Sequence, residues 1–186
     1  MDPPELPKAF PFARTPWDQL IRVHPSIFSV FVMIVLPFSV VPAAMIYYAG
    51  SSYRELFSAA IPMQRWQDAA GIFFLAELVT VPAMAALMRL ACYANGVAAN
   101  FRECFTLAAL APVPMWLASL ILFLPNLAVC VLVGVLSLAC SLVLTYRGMI
   151  ALFRIHDHRQ AMQMATLVTA AGLFAWLILM QIVLLD

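Results

Sequence analysis

Residues 127–146 contain neither a charge nor a proline. Small and hydroxyl-bearing residues are all that interrupt the aliphatics. At about 1.5 Å per residue, a helix over this run is about 30 Å long, the thickness of a bilayer's hydrocarbon core. A second pattern is written on it. Cys130, Gly134, Ser137, Ser141, Thr145 and Gly148 recur at steps of four, three, four, four and three, so all six share one helical stripe. Such a stripe lets another helix backbone approach closely, as membrane interfaces prefer. The reading is a central helix over 126–153 against which the rest of a membrane bundle packs. It implies that Gly134→Leu disturbs folding far more than Leu136→Ile.

The chain as a whole supports a membrane setting. Of its 186 residues, 65% are hydrophobic and 10% charged, against about half and a quarter in soluble domains. Besides 126–146, spans are predicted over 27–49, 71–90, 104–124 and 161–184, which makes an all-α, polytopic integral membrane protein with five transmembrane helices. Residues 1–25 read as a proline-rich tail carrying a short interfacial helix over 17–23, without the apolar core of a cleavable signal peptide. Residues 50–70 read as a loop with a surface-lying turn, and 147–160 as the most polar connection. Pro125-Asn126 is so short a link that the third and fourth helices form an antiparallel hairpin. Ala165, Thr169 and Gly172 give the fifth helix a small stripe of its own, the expected mate of the stripe on the fourth.

Basic residues set the orientation. Lys8, Arg14, Arg22, Arg89, Arg102, Arg147, Arg154 and Arg159 fall on one side, and Arg54 and Arg65 on the other. Eight against two places the N-terminus in the cytoplasm and the C-terminus outside it.

Few residues offer chemistry. Glu77 is the one acidic residue well inside a predicted span, about two turns from its outer end. An ionisable group there is costly and is a functional-site hypothesis by default. Thr80, three residues on, is placed to share a hydrogen bond with it. The functional reading is a proton or cation relay, or a contact to a lipid amine; the structural one is a protonated or interfacial Glu that fixes helix packing. His156-Asp157-His158 lacks the further ligands a zinc site needs, and reads as solvated loop. Arg147, Arg154 and Arg159 around it are candidate contacts to anionic lipid headgroups. Cys92, Cys104, Cys130 and Cys140 form no CxxC pair and read as small apolar packing residues. Phosphate loops, GxSxG and HExxH are absent, so the expectation is a non-enzymatic protein without cofactor or metal. A net charge of +1 argues against nucleic acid as a partner. Membrane lipids, a protein partner or a second copy remain.

Three stretches carry a resemblance. Leu36-Pro37 through Val41-Pro42-Ala43 to Tyr48-Ala49-Gly50 makes a proline-bearing first helix with an aromatic exit. Arg102-Glu103-Cys104-Phe105-Thr106 leads into Leu110-Ala111-Pro112-Val113-Pro114, a polar entry ahead of a third helix with central prolines. Tyr146-Arg147-Gly148 through Leu152 precedes a polar loop and Ala161. In order and spacing these resemble the Yip domain family, in its small bacterial branch. The resemblance implies a five-span inner-membrane protein acting as a scaffold or as an organiser of partners and lipid; a small transporter using Glu77 is the rival. The Asp-Leu-Tyr-Gly-Pro segment of eukaryotic members is missing, so their binding of prenylated Rab-type GTPases is not carried over.

Overall fold

The computed structural model describes Trp17 and residues 25–53, 62–124 and 126–185. The predicted interfacial helix over 17–23, apart from Trp17, lies outside the described residues, as do residues 54–61 of the first connection and Pro125 of the hairpin. Among the described residues all regular structure is helical. Five helices are long and apolar enough to cross a membrane.

Helix α1 (Ile27–Ser52) starts at a serine cap, with the Ser29 N–H donating to Ser26 Oγ at 3.1 Å. Ahead of Pro37 it widens into a π-turn over Phe31–Val35, closed by the Leu36 N–H on the Phe31 carbonyl. Such bulges absorb a missing donor without breaking a helix. Helix α2 (Met63–Ala94) has 32 residues, about 48 Å, and outruns the predicted 71–90. Of the stretch read as loop, residues 63–70 are its first two turns and residues 50–52 close α1. Gln64, Arg65, Gln67 and Asp68 face out, Ala69 is buried, and the Trp66 ring lies where a Cβ on Gly50 of α1 would stand. Hydropathy stops at the first charges, but the backbone stays helical where water solvates those side chains.

Helix α3 (Phe101–Phe123) opens with a capping box. The Asn100 N–H donates to Glu103 Oε2 at 3.2 Å and the Arg102 N–H to Asn100 Oδ1 at 3.4 Å. Its prolines then divide it into Phe101–Leu110, Val113–Ala118 and a 3₁₀ turn over Ser119–Phe123. Helix α4 (Leu127–Phe153) is capped by Asn126, whose Oδ1 accepts from the Val129 N–H at 3.2 Å. It ends where Arg154 turns left-handed at φ 53°, so the polar connection shrinks to four residues before α5 (His158–Leu185). The starts of α1, α3 and α5 and the ends of α2 and α4 share one end of the bundle, the N-terminal end. There Gln160 Nε2 donates to the Asn95 carbonyl at 3.0 Å, joining the two elbows.

The packing corrects one expectation. Helix α2 packs on α1, α3 and α5, and α3 on α1, α2 and α4, whereas α4 packs mainly on α3 and α5. The bundle is built around α2 and α3. Helix α4 is the most apolar of the five spans and the least buried. The reason is the solvent. Lipid is as apolar as leucine, so nothing drives the most apolar helix inward. The buried carboxyl of Glu77 on α2 and the Pro112–Pro114 break of α3 lie inside instead, where neighbours can satisfy them. Burial is concentrated at the N-terminal end, where Val35, Met88, Cys92, Cys104, Leu107 and Met149 are fully enclosed.

Candidate functional site

Glu77 is the fifteenth residue of α2, about four turns from its start rather than two from the end of a span. It sits at the middle of the longest helix, on the face turned toward α1 and α3, and is only 9% exposed. The Trp116 indole of α3 is the side-chain hydrogen-bonding neighbour of its carboxyl. Oε2 is buried with no partner. Trp116 is itself buried and stacks on Phe38 of α1, with ring centroids 6.5 Å apart and planes at 19°. The carboxyl on α2 is thus linked through Trp116 of α3 to Phe38 of α1. Thr80 does not serve it as expected: its Oγ1 donates to the Glu77 main-chain carbonyl at 3.0 Å. A hydroxyl three residues along a helix reaches the backbone of its own turn more easily than a side chain pointing outward.

Sequence reading found Glu77 and missed Trp116 and Phe38. The signal was present, since tryptophan is the apolar residue that brings an N–H into a membrane interior. Which face of α3 it occupies depends on the break at Pro112 and Pro114, whose angle no periodicity encodes. Chemically the arrangement can hold one proton or one cationic group against a carboxyl oxygen. Among the described residues no group of three His, Cys, Asp or Glu is placed to hold a metal ion.

The small stripe of α4 divides in two. Ser137, Ser141, Thr145 and Gly148 are buried. Cys130 is half-buried, and Gly134 is exposed with nothing within 4 Å of a Cβ built on it. Gly134 is thus not a close-packing position in this bundle. The tight contacts are made with α3. Ser141 Oγ donates to the Ala111 carbonyl at 2.6 Å, just where the Met115 and Trp116 N–H groups turn to Pro112 O. A Cβ on Gly148 would collide with Leu107 of α3 and lie 2.9 Å from Cη2 of Trp17. The expected partner, the small stripe of α5, looks elsewhere at Gly172, whose nearest neighbour is Met84 of α2. Ser141→Ala is expected to cost about 1 kcal/mol, since it strands a buried carbonyl at the α3 break. Thermal unfolding in detergent, with Ser119→Ala as the comparison, measures it.

At the N-terminal end Arg147, Arg154 and Arg159 are all exposed around the α4–α5 elbow. Tyr146 Oη and His158 Nδ1 are 2.9 Å apart. Asp157 Oδ1 accepts from the Arg159 N–H at 2.8 Å. The aspartate is thus committed to capping α5 and the histidine to a tyrosine.

Five membrane-length helices packed around α2 and α3 make this a polytopic integral membrane protein. The family model of the Yip1 domain matches residues 10–179, and the chain belongs to that family. No curated protein and no solved structure matches it.

Proposed function

We propose that the chain is a non-catalytic scaffold of a bacterial cytoplasmic membrane that organises a membrane-embedded partner and its surrounding lipid. Its N-terminal end faces the cytoplasm. Among the described residues Arg89, Arg102, Arg147, Arg154 and Arg159 gather at that end, against Arg65 at the other. Arg147, Arg154 and Arg159 would then meet anionic headgroups of the inner leaflet.

The observation that carries the reading is the first half of α4. Leu127, Val131, Leu132, Val135 and Leu136 are each more than half exposed, and Gly134 among them opens a notch with nothing near it. In a membrane such a surface accepts a second helix at close range. Purification in mild detergent is expected to recover a stable polypeptide partner or a homo-oligomer. Gly134→Leu should release it while leaving the bundle's unfolding temperature unchanged. Recovery of neither partner nor oligomer rejects the scaffold.

A small transporter or channel working through Glu77 is the second reading. The buried, unpartnered Oε2 favours it, because a purely structural carboxyl gains nothing from an unspent acceptor.

A further inference from the structure

Between α1 and α2, in the half of the membrane away from the N-terminal end, a lateral groove of about 400 Å³ is lined by Val40, Ala43, Ala44, Tyr47, Ala70, Gly71 and Phe74, with Gln67 at its mouth. Four of its eight lining residues are alanine or glycine. Ala43, Ala44, Ala70 and Gly71 supply almost no side chain, while Val40 and Phe74 close the deep end. From Val40 to Tyr47, and equally from Phe74 to Gln67, the groove runs about 10 Å along each helix, roughly two-thirds of one leaflet's hydrocarbon depth. Its two hydrogen-bonding side chains stand together at the outer end. Tyr47 and Gln67 are both exposed, and both carry donors at the level where aromatic belts and ester groups lie.

We infer that this groove seats one acyl chain of an outer-leaflet phospholipid, with Tyr47 Oη and the Gln67 amide donating to its glycerol-ester or phosphate oxygens. The groove opens sideways into the bilayer rather than to water, so its occupant arrives from the lipid phase. Its lining is apolar between Val40 and Phe74, its length stays within a single leaflet, and its hydrogen-bonding side chains, Tyr47 and Gln67, sit at one end. Those three features match a chain that is apolar along its length and hydrogen-bonding at its head. A transmembrane helix of a second copy would instead run past the polar end and cross the full membrane. The inference deepens the lipid-organising part of the proposed function and rests on it.

Gly71 makes the test clean. It is exposed, with nothing within 4 Å of an added Cβ, so Gly71→Leu fills the groove without displacing the bundle. Leucine is also the better helix former. Ala44→Leu blocks the groove from the other helix, and Val79→Leu alters the exposed lipid face outside it. Native mass spectrometry after extraction from phosphatidylethanolamine-containing nanodiscs is expected to show one retained phospholipid on the wild-type protein and on Val79→Leu. Gly71→Leu and Ala44→Leu should each lose it, with at least a tenfold fall in affinity for added phosphatidylethanolamine and unchanged unfolding of the lipid-free protein. Equal lipid retention in all four proteins overturns the inference, as does a wild-type protein that retains none. A lipid-free dimer that Gly71→Leu dissolves overturns it in favour of a helix occupant. None of these outcomes touches partner recovery through Gly134, so the groove can fail while the scaffold stands.

Discussion

Gly148→Leu is expected to prevent the bundle from assembling, whereas Gly134→Leu, fourteen residues earlier on the same stripe, leaves it folded. The two glycines look alike in sequence and stand in opposite surroundings. At Gly148 even a Cβ runs into Leu107, with Trp17 on the other side at 2.9 Å. Leu107 is fully enclosed and Trp17 nearly so, so neither side chain has room to swing away. Overpacking of a closed core costs about 1–3 kcal/mol for a few added methylenes. Here the first added carbon already meets enclosed side chains, so the cost of a whole leucine lies at the top of that range or above it. At Gly134 the added side chain meets open space and gains helix propensity. Detergent-solubilised yield and the unfolding temperature, read by fluorescence-detected size exclusion, measure both variants. If Gly134→Leu is the more damaging, the exposed half of α4 is packed within the bundle and the proposed docking surface does not exist.

The pattern of spans was legible because it rests on a single physical requirement. Each helix must offer the bilayer about twenty apolar residues, and that requirement leaves a mark in composition. The stripe on α4 was legible for the same kind of reason, since periodicity on one helix needs no knowledge of its neighbours. Which helix would meet Gly148 was not legible. Helix α3 claims that contact because Pro112 and Pro114 break its ladder and leave the Ala111 carbonyl open to Ser141. The start of α2 was missed because Gln64, Arg65, Gln67 and Asp68 end the apolar signal while the helix continues. The centre of the bundle was misplaced for a third reason. Apolarity marks burial in water, but in lipid it marks exposure, and α4 is the most apolar of the five.

The Glu77–Trp116 pair supports the other large expected effect, and its two members are unequal. Trp116→Ala removes a buried ring that stacks on Phe38 and supplies the hydrogen-bonding neighbour of the carboxyl. It is expected to cost about 3–5 kcal/mol from the cavity alone, with more for a carboxyl left wholly unpartnered. Glu77→Leu replaces the carboxyl by an apolar group of similar size. Oε2 already lacks a partner, so the wild-type fold carries an uncompensated desolvation cost, about 1–3 kcal/mol for a buried polar group. Glu77→Leu removes that cost but strands the buried Trp116 N–H at about the same 1–3 kcal/mol, so it is expected to unfold near the wild-type temperature and far above Trp116→Ala. On the transport reading, the unspent Oε2 is the atom that takes up the proton or cation. Glu77→Gln, which keeps the shape and removes the ionisable oxygen, should then abolish any proton or solute flux in proteoliposomes. If Glu77→Leu instead destabilises the bundle as strongly as Trp116→Ala, and Glu77→Gln transports normally or the wild-type protein passes nothing, the carboxyl is a packing element that joins α2 to α3, and the transport reading is removed.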